Sequence, residues 1–316
     1  MPSPLPRYSD EDILSARGPK STVDPFIPYA YLVEPECNAD GSVEDVATIF
    51  LTNRECPFRC LMCDLWKNTT DETVPAGAIP RQIDYALDRL PAAQSIKLYN
   101  SGNFFDAQAI PRSDFPDIAN RLLQFKTVIV ENHPKLCNDS CLQFRDLLEP
   151  DLEIALGLET VHEAILARMN KQMTLDDFER AARFLTTENI SARAFILLKP
   201  PFLSEEEGIH WALKSIEFAF FTGVSCCSII PTRTGNGMLE QLLEKGEFLE
   251  PSLVSMETVL ETAIEFRQGR VFMDVWDADR FFDCPDCGPE RVERLQRINL
   301  SQQLEPPIAC HCRSTP

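Results

Sequence analysis

Short apolar runs separated by longer amphipathic stretches recur along most of this chain. From Val46 onward, runs at 47–52, 95–100, 127–131, 153–157, 191–198 and 224–230 predict strands, and 270–275 predicts a seventh. Several are apolar at nearly every position, as in strands covered on both faces. Between them, apolar residues at helical spacing predict helices over 81–90, 115–125, 140–148, 161–169, 175–186, 205–221 and 256–268. Thr174-Leu-Asp-Asp177 and Ser204-Glu-Glu-Glu207 each place a hydroxyl three residues before an acid, the capping-box pattern that starts a helix. A strand–helix alternation repeated this often implies a parallel sheet. The predicted fold is α/β, a partial (β/α)6-type TIM-like barrel. In such barrels, ligands sit at the C-terminal ends of the strands.

The pattern assigns three regions. Residues 1–45 are rich in Pro and turn formers and read as an irregular lead-in. Residues 46–268 form the core barrel, and 269–316 a small Cys-rich, metal-binding C-terminal module.

No apolar run reaches the roughly 18 residues of a membrane span, and the N-terminus lacks the basic and apolar regions of a secretory signal. A cytoplasmic location follows as the expectation. There the twelve cysteines would be reduced, which favours metal ligation over disulfides. The formal net charge of -19 repels bare nucleic acid on average; it serves solubility or offers an acidic face to a basic protein partner.

The most specific chemistry lies in Cys56-Pro-Phe-Arg-Cys60-Leu-Met-Cys63, which follows the first core strand. A structural zinc site takes four protein ligands, usually as two separated pairs. Three thiolates on one short loop suit a cubane iron–sulfur cluster with one iron left open. This loop, at the head of a repeated β-α chain, resembles the radical S-adenosylmethionine (SAM) superfamily. The resemblance implies that Cys56, Cys60 and Cys63 hold a [4Fe-4S] cluster whose open iron chelates the amino and carboxylate groups of SAM. It implies an electron donor such as flavodoxin or ferredoxin. It also implies reductive cleavage of SAM to a 5′-deoxyadenosyl radical that abstracts hydrogen from a substrate.

Other positions match residue by residue. Met62 stands where an aromatic usually lies near the adenine. Asn100-Ser101-Gly102-Asn103 matches a small-residue motif that binds the methionyl amino group, with Asn103 in place of the usual acid; otherwise it is an ordinary turn. Glu159 would contact the ribose or methionyl end of SAM, or cap the following helix. Arg193, flanked by Ala192 and Ala194, would pair with the SAM carboxylate or face outward. The stretch 157–174 with Arg168-Met-Asn-Lys171, the stretch 101–106 and the stretch 195–204 resemble the Elongator/methylthiotransferase-like branch, most of all the radical SAM subunit of archaeosine synthase. That likeness implies action on a modified tRNA base with a partner subunit that contacts the RNA. A metal-stabilised scaffold without radical chemistry, and an enzyme for a small metabolite, are the competing readings. No residue is assigned to the hydrogen-abstraction step.

Cys284-Pro-Asp-Cys287-Gly288 has the form of a metal knuckle, and Cys310 and Cys312 would complete four thiolates. Zinc and an auxiliary iron–sulfur cluster both suit such a set, and His311 could replace a cysteine. Cys226 and Cys227 are adjacent in a strand, so they point to opposite faces. Cys137 and Cys141 flank a helix start. No phosphate loop and no G-x-S-x-G elbow is present.

Overall fold

Pairing the strands sorts their side chains onto two chemically different faces. In the computed structural model, which describes residues 7–313, eight strands form one sheet in sequence order. They are β1 (Ala30–Cys37), β2 (Val43–Phe50), β3 (Ser95–Tyr99), β4 (Thr127–Asn132), β5 (Asp151–Glu159), β6 (Ser191–Leu198), β7 (Cys226–Pro231) and β8 (Arg270–Met273). β1 runs antiparallel to β2, and all later pairs are parallel. The helices are α1 (Asp10–Ala16), α2 (Ala78–Leu87), α3 (Phe115–Arg121), α4 (Asp139–Arg145), α5 (Glu163–Arg168), α6 (Leu175–Thr187), α7 (Glu205–Phe221), α8 (Met238–Glu244), α9 (Leu253–Glu265) and α10 (Gly288–Ser301).

On the helix-covered face, Ile49, Leu98, Val130, Ile154, Ile196 and Ile229 are wholly buried. Each such side chain contributes about 1.5–3 kcal/mol of burial free energy. The register puts Glu36, Lys97, Glu153, Arg193, Cys226 and Arg270 on the opposite, concave face. Full burial on one face and charge on the other is what a half-barrel requires. At one end its two edges approach: the Arg270 guanidinium donates to Cys37 O at 3.2 Å, and Cys37 packs with Cys226 and Phe272.

Two boundaries differ from the sequence reading. The lead-in expected to be irregular contains α1 and β1. Pro35 and the flanking Glu34 and Glu36 break the apolar pattern, yet an edge strand tolerates proline, Glu36 meets Lys97 and Arg193, and Glu34 accepts from the Trp276 indole. At the other end, β8 and α10 belong to the sheet's architecture. The Asn299 side chain accepts from Met273 N at 2.9 Å and donates to Met273 O at 2.8 Å. Gln302 does the same for Val271, at 2.8 and 2.9 Å. Two side-chain amides thus stand in for a ninth strand and cover the edge. No helix among the described residues is long and apolar enough to cross a membrane.

Candidate functional site

The concave face is layered. At the N-terminal ends of the strands, the Arg193 guanidinium binds Glu153 at 2.5 Å and Glu36 at 2.6 Å; Lys97 pairs with Glu36 and Arg270 with Glu153. This corrects the expectation for Arg193. Its guanidinium is turned inward, saturated by two carboxylates, and placed at the opposite end of the sheet from the cysteine loop. It is a structural ion there, not a partner for a SAM carboxylate. Above this floor, the rings of Phe50, Tyr99 and Phe195 make successive edge contacts at 6.2 and 6.0 Å.

The C-terminal strand ends form the mouth, and backbone strain collects there. Ser101, Glu159 and Lys199, at the ends of β3, β5 and β6, have φ of 53°, 65° and 53°. Non-glycine residues in the left-handed region are held by their surroundings and cluster at functional sites. Ser101 Oγ donates to the Tyr29 hydroxyl at 3.0 Å. A Cβ on Gly102 would lie 3.1 Å from Cys56 Cβ, so only glycine lets this turn approach the cysteine loop freely. Asn103 has both ends of its amide committed. Nδ2 donates to Cys56 Sγ at 3.1 Å, and Oδ1 accepts from His133 N at 2.7 Å.

The cysteine loop is strapped down from distant parts of the chain. Leu61 N donates to Met169 O at 2.8 Å, Asn236 Nδ2 to Leu61 O at 2.7 Å, and Asn170 Nδ2 to Arg59 O at 2.8 Å. Phe58 stacks on His133 at 3.8 Å, and half-buried Met62 packs on the main core. Burial pushes the Cys60 thiol up to about 12 and raises Cys63 further, so thiolates here require positive charge beside them. Lys171 supplies some: it faces Cys56 and Cys60 and binds Glu159 Oε1 at 2.6 Å. Burial works against its charge, but Glu159 and the thiols hold its pKa above the usual lysine range. A Cβ on Gly157 would sit 2.5 Å from both Glu159 Oε1 and Lys171 Nζ, so the pair occupies the space that glycine vacates.

The three loop thiols interact with one another. Among the described residues, however, only Cys284, Cys287, Cys310 and Cys312 gather all their ligand atoms within 4.8 Å. With three thiols from one loop and no fourth ligand grouped with them among the described residues, Cys56, Cys60 and Cys63 fit a [4Fe-4S] cluster with one open iron better than a four-ligand zinc ion.

Residues without an assigned role in the sequence reading complete the mouth. Glu131 Oε1, at the end of β4, accepts from Asn100 N at 2.6 Å and Gly102 N at 3.2 Å. Burial pushes its carboxyl up to about 7 despite these donors. The signal was a lone acid ending an otherwise apolar strand, Thr-Val-Ile-Val-Glu131. His133 is buried, with Nε2 3.1 Å from Lys171 O; burial and the Lys171 charge hold its pKa down to about 3, so it stays neutral. The C-terminal cysteines meet as a separate group before α10. Cys137 lies beside Asn132 Nδ2 at 3.6 Å, against α4.

No protein-family model matches the chain. Its sequence is 26% identical to the archaeosine synthase subunit beta of Methanosarcina acetivorans over 77% of this chain and 74% of that protein. It is 26% identical to the same subunit of Thermococcus kodakarensis, over 68% of this chain and 69% of that protein. An uncharacterized protein of Methanocaldococcus jannaschii is 26% identical over 91% of this chain and 85% of its own length. The chain is thus similar along most of its length to archaeosine synthase beta subunits. Two solved structures share its half-barrel fold. Elp3 of Methanocaldococcus infernus gives a TM-score of 0.51 at 15% identity, over 69% of this chain and 59% of its own. Streptococcus suis SuiB, bound to S-adenosylmethionine, gives 0.53 at 14% identity, over 70% and 48%. The match thus spans less than two thirds of each of these two chains.

Proposed function

We propose that this chain is the radical-generating subunit of an enzyme that abstracts hydrogen from a modified tRNA base, with a partner subunit making most of the RNA contacts. The observation that carries the chemistry is the set of three thiols on one loop at the half-barrel mouth, with Cys56 held beside the strained turn at Ser101. When bound, the cluster and SAM supply one-electron cleavage of a carbon–sulfur bond and hydrogen-atom abstraction. The protein's own residues do the rest. Cys56, Cys60 and Cys63 hold iron, Asn103 fixes Cys56, and Lys171 balances thiolate charge. Ser101, Gly102, Asn103 and Glu159 line the SAM side, with Met62 as an apolar contact.

Likeness to the two archaeosine synthase beta subunits supports the tRNA substrate and the partner. The net charge of -19 supports delegating RNA contact to that partner. A flavodoxin or ferredoxin in the cytoplasm would supply the electron. Protein reconstituted anaerobically with iron and sulfide, then reduced with dithionite, should release 5′-deoxyadenosine from SAM, and Cys60→Ala should abolish the release. With the partner and tRNA added, hydrogen from the RNA should appear in the 5′-deoxyadenosine. A triple cysteine variant that kept its iron and its SAM cleavage would refute the chemistry. Hydrogen uptake from solvent alone, with tRNA present, would refute the substrate.

A further inference from the structure

Outside the loop at 56–63, a second group of cysteines is built for a single ion. Cys284 and Cys310 sulfurs lie 4.0 Å apart, Cys287 and Cys312 sulfurs 3.7 Å, and every pair among the four lies within 4.8 Å. A tetrahedral ion with metal–sulfur bonds of about 2.3 Å separates its sulfurs by about 3.8 Å. In a cubane each thiolate sits on a separate iron, which spreads the sulfurs beyond the bound that every pair here meets. We propose that Cys284, Cys287, Cys310 and Cys312 bind one zinc ion, and that this ion latches the C-terminal tail onto α10.

The surroundings suit a dianionic tetrathiolate. Backbone amides of Asp286 and Cys287 donate to Cys284 Sγ, and Arg291, itself buried, reaches Cys287. The knuckle also sits at the positive end of the fourteen-residue helix α10. A tetrahedral sulfur site accepts zinc or a lone ferrous ion, and zinc binds such a set more tightly.

The tail needs the ion. Arg294 holds Glu305 O at 3.1 Å and Pro306 O at 2.8 Å. Beyond Pro306, the described residues make no hydrogen bond to the body except through the cysteines, and none of residues 303–312 is buried. Without metal, little would return Cys310 and Cys312 to the knuckle. The same α10 carries Asn299 and Gln302, so the latch closes the cover of the β8 edge.

The test is elemental analysis of full-length protein as purified, before any iron–sulfur reconstitution. The expected content is one zinc per chain, retained when Cys56, Cys60 and Cys63 are all replaced by Ala. Cys310→Ser with Cys312→Ser should lose that zinc yet keep SAM cleavage after reconstitution. A fold-independent check is cobalt titration of the chelator-treated Cys56/Cys60/Cys63 triple variant, which should yield the intense visible bands of tetrahedral cobalt thiolate. A second iron–sulfur cluster in the Mössbauer spectrum, a lone iron, or an absence of both zinc and cobalt uptake would overturn the proposal. The zinc, cobalt and Mössbauer readouts depend neither on the tRNA substrate nor on SAM cleavage by the core.

Discussion

Replacing Lys171 by Met should expose how much the mouth depends on one ion pair. Lys171 and Glu159 meet at 2.6 Å with side chains 7% and 10% exposed. At an effective dielectric constant of about 20, that separation corresponds to about 6 kcal/mol of attraction, most of it offsetting the desolvation of both ions. Methionine keeps the volume but strands the Glu159 carboxylate between Gly157 and the thiols. Breaking a buried pair in this way costs about 3–5 kcal/mol. Urea denaturation of the cluster-free protein at pH 8 should show that loss as a lower midpoint with an unchanged slope. Lys171→Met combined with Glu159→Gln should recover most of it, because no uncompensated charge remains. A single variant within 1 kcal/mol of wild type, or a double variant as unstable as the single, would refute the electrostatic account.

Two further outcomes follow from the same structure. Glu131 has its carboxyl raised from 4.5 to about 7, so between those values the folded protein holds a proton that the unfolded chain has released. Stability should therefore fall by about 3 kcal/mol as pH rises from 4.5 to 7, and Glu131→Gln should flatten that slope in denaturation curves of the cluster-free protein. An unchanged slope would show that another group titrates. Asn299→Leu with Gln302→Leu removes four hydrogen bonds at the β8 edge, worth about 0.5–1.5 kcal/mol each, and bares the strand. The expected result is a lower melting temperature with concentration-dependent association by light scattering; a monomeric, equally stable variant would mean that the amides cover nothing of consequence.

Local signals were strong enough to place much of this molecule from sequence. β6 and α7 coincide with their expected bounds, because a continuous apolar run and the Ser204 capping box leave few competing conformations. Cysteine spacing alone pointed to the loop at 56–63 and to the four C-terminal thiols, since ligand geometry is encoded over a few residues. β1 escaped notice because Glu34-Pro35-Glu36 looks unlike a strand until Arg193 and Lys97, more than 60 residues away, pair with Glu36. Arg193 was legible as a cation in a strand. Only the fold decided that it faces Glu36 and Glu153 at the floor, because alternation gives a side chain's face and not its partners. Glu131, His133 and Lys171 lie 29 or more residues from the turn or cysteines that they touch or face. Sequence thus pointed to most of the core strands and helices and to the candidate metal ligands, which depend on neighbours along the chain. Tertiary structure decided which charges meet, because buried ions are set by whatever the packing brings within a few ångströms.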